Sequence, residues 1–496
     1  MEFRKSLSIV LITLNLFAFI YLLYFHYLII SYPYPIEQRD SIQIVTTNLM
    51  LSGINPYSYE VQPAGTNTYG ILQSLLTLPL ARIYGSNLFT HKLVVGIFML
   101  ASVGVFTLIL IHKKVRPEIA ISLITIFYAS LLFAPIPYTR SDSIGLFFFL
   151  LGLYIAYVND FSRKSLILAY IIGILGVLTK TYYLLLYLFI LAYLYLFRSF
   201  KKGLEQTIIV GVLIVVTFII VDKIMPVYWT NTYFSALNSI PFTPSHFRKQ
   251  LSLFSLVYSG VFITLLICLL KRKKEKRERL DFFNFCIVAS AFIFVVKLGG
   301  NAGAGYSYYF ELISPFLLPY VGKLLSKASN KRYVIGHVLI TLNIFALIYF
   351  FHMPFNKNDY SAEWENARKL ISSHTNIIAS NALATLIQEE NKTLYDSGNT
   401  EFFKNGWERK GFYKYFLKQD LRTKQISEDY QNKIDNMVAN QEFDLIITYS
   451  PLTGEAKVYK RYENTGTLVL HAPSDGVKLT WEMKIWLPKP STDQYN

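Results

Sequence analysis

The chain has 496 residues, of which 53% are hydrophobic and 16% aromatic, with a mean hydropathy of +0.35. Only 16% are charged, against roughly 25% in soluble domains, and many apolar runs approach or exceed the roughly 18 residues that cross a bilayer core. These values exclude an ordinary soluble enzyme. The net charge of +16 lies in short clusters between apolar runs, the pattern of membrane topology and anionic lipid rather than of nucleic-acid binding. Cys268 and Cys286 both fall on predicted spans and offer neither a disulfide framework nor a metal motif.

Eleven spans are predicted, at 7–30, 88–111, 118–136, 142–158, 165–179, 182–198, 206–222, 251–270, 281–297, 308–321 and 333–352. The first has Arg4 and Lys5 before it and no small-residue cleavage site after it, so it reads as a retained span. Alternate loops carry Lys113, Lys114 and Arg116, then Arg163 and Lys164, then Arg198, Lys201 and Lys202, then the basic run 271–279, then Lys323, Lys327, Lys331 and Arg332. Positive loops stay inside, which places these and the N-terminus in the cytoplasm. The other loops, and everything beyond about residue 352, fall outside.

The first outer loop, 31–87, is too long for a simple connector. Ile42, Val45 and Leu49 recur at helical spacing, Gly53 and Pro56 end that pattern, and a second helix fits Tyr69–Tyr84, with an apolar stripe suited to the interface. From 353 to 496 the composition becomes that of a soluble α/β domain, with a helix from Ser361 and strands at Thr375, Phe443, Thr467 and Leu479. The expected architecture is a mainly α, polytopic membrane domain over 1–352 followed by a small extracytoplasmic α/β domain. That domain has no phosphate loop, metal-ligand spacing or nucleophile elbow.

The sharpest signal is charge at the predicted outer ends of spans: Arg39 and Asp40, Arg140 and Asp142, Lys180, Lys297, and Glu311 just inside the following span. Such groups cost about 2.5–3.5 kcal/mol on insertion scales, so they are usually paired or functional. Each also has a plainer reading. Asp40 with Gln43 fits a helix capping box; Arg39, Lys180 and Lys297 fit interface anchors; Arg140 with Asp142 fits a structural ion pair. Taken together, the set describes a polar cavity open to the outer side and suited to a lipid-linked anionic donor. There, cations hold a departing phosphate and a carboxylate deprotonates an incoming hydroxyl. No zinc pattern is present; a divalent cation held by Asp40 and phosphate stays open.

Four segments resemble the GT-C superfamily of polyprenyl-phosphate-dependent membrane glycosyltransferases, in the branch of protein O-mannosyltransferases and the lipid A aminoarabinose transferase. They are RDSIQIVTTNLMLSGINPY with TYGILQSLLTLPLARIYG, then YTRSDSIGLFFFLLGLYI, GVLTKTYYLLLYL and KLGGNAGAGYSYYFELISPF. The chain departs from the family in having Arg-Asp where several members pair two acidic residues, and Ser307 where Asn is expected. The resemblance implies Asp40 as general base and Asp142 as a second carboxylate. It implies Arg140, Lys180 and Lys297 at the donor phosphate, Tyr57 and Tyr69 at the sugar, Glu311 at the sugar or the first loop, and Arg39 and Tyr308 among the substrate-binding residues. It also implies an inverting transfer to a lipid, glycan or protein acceptor. A transporter of lipid-linked or anionic sugar, or a non-catalytic envelope assembly protein, are the competing readings. A reporter fused after Arg279 is expected to be active only on the cytoplasmic side; activity outside would overturn the orientation.

Overall fold

The computed structural model describes residues 2–36, 40–132, 140–235, 242–270, 281–300, 311–352, 359–379, 381–396, 400–404, 406–408, 415, 418–448, 458, 460–472 and 479–490. The helices in chain order are α1 Glu2–Ser31, α2 Ser41–Leu51, α3 Leu72–Tyr84, α4 Leu88–His112, α5 Pro117–Leu131, α6 Asp142–Val158, α7 Arg163–Val177, α8 Leu185–Tyr193, α9 Phe200–Ile224, α10 Pro244–Val257, α11 Ser259–Leu269, α12 Phe282–Val296, α13 Ser314–Ser326, α14 Asn330–Leu347, α15 Ser361–Ser372, α16 Ala384–Glu389, α17 Thr400–Phe403 and α18 Leu421–Ala439. The strands are β1 Ile377–Ala379, β2 Leu445–Thr448, β3 Tyr462–Ala472 and β4 Leu479–Pro488. The chain divides into two compact units: 1–32, 92–218 and 240–355 form one, and 33–91, 219–239 and 356–496 the other.

The first unit is a helical bundle. Among the described residues, five helices are long and apolar enough to cross a membrane, or six if the pair α10–α11, bent by 75°, counts as one span. Eleven spans were expected. The segments expected at 118–136, 142–158, 165–179 and 281–297 form helices of 15 to 17 residues, about 22–26 Å at 1.5 Å per residue against a core of about 30 Å.

Polar side chains tie the bundle together. Asn15 on α1 donates to Ser122 on α5 and Thr341 on α14, both at 2.9 Å, and Ser122 also meets His337 Nε2 at 2.9 Å. At the bend between α10 and α11, Asn343 donates to Val257 O (2.8 Å) and accepts from Gly260 N (3.0 Å), so the backbone groups freed by the bend keep partners. Toward the expected cytoplasmic end, Lys113 pairs with Asp281, and Tyr157 donates to the same carboxylate at 2.7 Å, joining α4, α6 and the start of α12. Both cysteines are buried free thiols.

The second unit gathers three separate stretches of chain. Its four-stranded sheet has the order β1-β2-β4-β3, with β1 parallel to β2 and the other pairs antiparallel. Ile434 and Val438 of α18 pack with Ile378, Ile446, Tyr462 and Trp486 of the sheet as its core. Asp444 fixes the start of β1 by accepting from Thr375 N (2.6 Å) and Asn376 N (2.8 Å). Burial alone would raise its pKa, but these bonds hold it below the usual carboxylate range.

Residues 33–91 are woven into this unit. Tyr34 stacks on Trp364 at 5.6 Å and donates to Glu365 at 2.6 Å. Burial and that bond push its pKa up to about 12, so it remains a donor through the physiological range. Asn48 donates to Gln388 at 3.1 Å, and the Arg422 guanidinium lies 3.7 Å from the Tyr59 ring centroid. Gly53 closes α2 with φ +73°, as its position after the apolar repeat implied. The second helix of the loop starts at Leu72 rather than at Tyr69, because Tyr69 N is taken by Asn67 Oδ1 (2.8 Å) and its carbonyl by the Tyr57 hydroxyl (2.5 Å).

Removing one partner of this half-buried ion pair leaves the other charge partly withdrawn from water without its counterion. Lys113→Ala is therefore expected to lower the melting temperature of the purified protein far more than Lys114→Ala, its neighbour in sequence; equal melting temperatures would refute a structural role for the Lys113–Asp281 pair.

Candidate active site

In the helical bundle, the predicted charges converge at one end of α6, α7 and α13. Asp142 is the first residue of α6, where the helix dipole favours a negative charge. Its Oδ1 accepts from Lys180 Nζ at 2.7 Å; the Asp142 side chain has no exposed surface and that of Lys180 keeps 14%. Lys180 is held in extended conformation between the end of α7 and a 3-10 turn, Thr181–Leu184, that leads into α8. That turn supplies two tyrosines. The Tyr182 hydroxyl donates to Glu311 Oε2 at 2.6 Å. The Tyr183 hydroxyl lies 2.6 Å from the Asp142 carbonyl and 3.2 Å from Glu311 Oε2, so it bridges the two acidic residues. The Lys180 ammonium also lies 5.2 Å from the Tyr182 ring centroid, within cation–π range.

Two carboxylate oxygens in this cluster, Asp142 Oδ2 and Glu311 Oε1, are buried without a hydrogen-bond partner among the described residues. Arg140 is buried at 5% exposure, two residues ahead of Asp142. The cluster is thus a buried set of acids and bases whose hydrogen-bonding capacity is not filled, as is expected where a ligand completes the set.

Close approach of the backbone makes this arrangement possible. A Cβ on Gly145, one turn into α6, would lie 1.9 Å from the Tyr183 ring and 2.5 Å from Thr179 Oγ1. Only a bare backbone lets Tyr183 lie flat on α6 and reach the Asp142 carbonyl.

In the second unit, Asp40 is buried at 2% exposure at the N-cap position of α2, yet its side chain caps nothing. It reaches back instead, and Oδ2 accepts from Ile36 N at 2.8 Å. Gln43, the other half of the expected capping box, is buried and accepts from Ser74 of α3 at 2.9 Å. Packing of α2 on α3 has claimed it, so the capping-box reading of Asp40 is corrected. Tyr57 and Tyr69 come together, but the Tyr57 hydroxyl is used on the Tyr69 carbonyl, and its ring packs edge-on against Tyr228 at 4.9 Å.

Lys297, just after α12, is exposed and has no part in the buried cluster. Arg39 and Tyr308 lie outside the described residues. Among the described residues, no group of three His, Cys, Asp or Glu side chains is placed to hold a metal ion.

Three residues of this region escape the sequence reading. Tyr182 and Tyr183 look like ordinary apolar positions at the start of a span. Lys92, four residues into α4, is fully buried and donates to the Tyr32 carbonyl at 2.8 Å. Its signal was the same as that of Lys180, a cation at the expected outer end of a span.

The fold is similar over nearly the whole chain to that of solved ArnT structures, and among the described residues it includes five helices, or six with the bent pair as one span, long and apolar enough to cross a membrane. Two crystal structures of ArnT from Cupriavidus metallidurans are similar to nearly the whole chain. The apo form matches with a TM-score of 0.57 and 12% identity, over 95% of this chain and 97% of that one. The form bound to undecaprenyl phosphate matches with a TM-score of 0.59 and 12% identity, over 96% of this chain and 98% of that one. At such identity the likeness is one of fold. No protein-family profile and no curated protein matches the chain.

Gly145→Ala is expected to force Tyr183 off α6, to lower the melting temperature by an amount equivalent to about 1–3 kcal/mol, and to weaken any activity that depends on the cluster. Gly211→Ala, where an added Cβ would meet nothing, serves as the control. An unchanged melting temperature in Gly145→Ala would mean that the turn carrying Tyr183 is not held against α6.

Proposed function

We propose that the chain is a glycosyltransferase that moves a sugar from a polyprenyl-phosphate donor to a hydroxyl acceptor on the outer side of the membrane, with inversion at the anomeric carbon. The observation that carries this reading is the likeness in fold, over almost the full length of both chains, to a protein that has been crystallised with undecaprenyl phosphate. The buried Asp142–Lys180–Glu311 cluster supports it independently, because a helical bundle needs no such set of charges for its own stability.

The proposed chemistry follows from the side chains. Lys180 and Arg140 hold the donor phosphate and stabilise the charge that develops on it as it leaves. Asp142 and the Tyr182–Tyr183 turn are positioning groups that aim the Lys180 ammonium, and Glu311 contacts the sugar. Asp40 takes the proton of the acceptor hydroxyl. The acceptor oxygen forms its bond to the anomeric carbon from the face opposite the phosphate. The carbon–oxygen bond to phosphate breaks, and polyprenyl phosphate departs with the electron pair.

The test is loss of sugar from a polyprenyl-phosphate donor in the purified protein, with folding checked by melting temperature. Asp40→Asn is expected to slow transfer by about 10²–10⁴-fold, the range of a general base. Lys180→Ala is expected to slow it at least as much, with partial recovery in Lys180→Arg. Full activity of a folded Asp40→Asn protein removes Asp40 as the base. Counter-flow of the donor across proteoliposomes with no covalent product would favour the transporter reading instead.

A further inference from the structure

A cavity lies within the second unit. It has a volume of about 530 Å³, within the usual range for small-ligand sites of about 300–1,000 Å³. One wall is the C-terminal part of α2, with Asn48, Leu51 and Ser52; the other is α16 and the turn after it, with Gln388, Glu389 and Lys392.

The charges on its wall are already used. Glu389 pairs with Arg368 at 2.8 Å. Lys392 donates to the carbonyls of Ile371, Ser372 and His374, which end and follow α15. What remains toward the cavity is neutral: amides of Asn48, Gln388 and Asn391, the Ser52 hydroxyl, and the aliphatic surface of Leu51. Asn48 Nδ2 and Gln388 Oε1 bond each other at 3.1 Å, so each amide keeps its other end for a ligand. An array of amide donors and acceptors beside an aliphatic patch, with no net charge to satisfy, is chemistry for a hydroxyl-rich neutral ring.

The place of the cavity on α2 adds a direction. Asp40 stands at one end of that helix and the cavity at the other. From Asp40 to Asn48 and Ser52 is about 12–18 Å along the axis at 1.5 Å per residue, more than one sugar ring. We propose that this cavity binds a neutral sugar unit within a glycan acceptor, whose terminal hydroxyl reaches Asp40 along α2. The proposal rests on the glycosyltransferase reading for the acceptor role, but binding to the cavity can be measured without it.

The experiment uses the full-length protein in detergent and two readouts. The first is saturation-transfer NMR with mannotriose, cellotriose and chitotriose, at 50 and 500 mM salt. The second is release of sugar from the polyprenyl-phosphate donor. Ser52→Trp, at an exposed helix end, fills the cavity. At least one trisaccharide is expected to bind the wild type with an affinity that changes less than twofold between the two salts. Ser52→Trp should lose that binding at least tenfold while retaining the wild-type rate of donor turnover with a monosaccharide acceptor. Failure of all three trisaccharides to bind the wild type, or equal binding by Ser52→Trp, overturns the proposal. A strong fall in binding with salt overturns the neutral class. Wild-type protein that binds a trisaccharide but never turns over the donor upholds the cavity and overturns the transfer reading.

Discussion

The buried ion pair of Asp142 and Lys180 is the constraint around which the helical bundle is arranged. Neither charge can be left alone where it is buried, and each comes from the end of a different helix: Asp142 opens α6, and Lys180 follows α7. Meeting at 2.7 Å requires these helix ends to be level and close. The glycine at 145 provides the closeness, by letting the Tyr183 ring lie on the α6 backbone. Tyr183 then carries the arrangement on to Glu311, three residues ahead of α13. One charge pair thus fixes three chain segments that are far apart in sequence. Because a buried pair returns little net stability against its hydrophobic replacement, its presence here argues for use rather than for folding.

The second unit solves a different problem. Residues 33–91 cannot bury a core alone: α2 has 11 residues and α3 has 13, and isolated helices of that length are marginal in water. Their order comes from partners distant in sequence. Tyr34 is held by Trp364 and Glu365, Asn48 by Gln388, and Tyr57 by the chain near Val227 and Tyr228. Residues 356–496 are therefore part of what gives residues 33–91 their shape. Asp40, at the head of α2, owes its fixed position to the same packing.

How much of this was legible in the sequence depends on the range of the interaction. The charges at helix ends stood out because the insertion penalty makes such residues rare, and those at 140, 142, 180 and 311 are all buried or nearly so. Local signals were also reliable where only local physics acts. Gly53 ends its helix with positive φ, and the strands near 377, 445 and 479 fall where β-branched runs put them. The readings that changed were those in which a distant partner competes for a side chain. Asp40 and Gln43 match a capping box in spacing, but Ser74 from another helix takes Gln43 and the Ile36 amide takes Asp40. Tyr69 fits a helical stripe, but Asn67 and Tyr57 hold its backbone out of the helix. The span expected at 251–270 is divided by the bend between α10 and α11, which hydropathy does not record.

The same competition explains why the tyrosines went unseen. A tyrosine in an apolar run reads as an interface anchor or as core. What distinguishes Tyr182 and Tyr183 is a property of the fold: their hydroxyls converge on one buried carboxylate oxygen and leave its partner oxygen open. A carboxylate with both donors on one oxygen is polarised in direction. Its free oxygen is the one that can meet a ligand, and the protein fixes which oxygen that is before the ligand arrives. Asp142 is treated in the same way, with Lys180 on Oδ1 and Oδ2 left open. Two acids oriented by one turn of chain form a preorganised surface, and preorganisation of this kind lets a site stabilise developing charge without reorganising during the reaction.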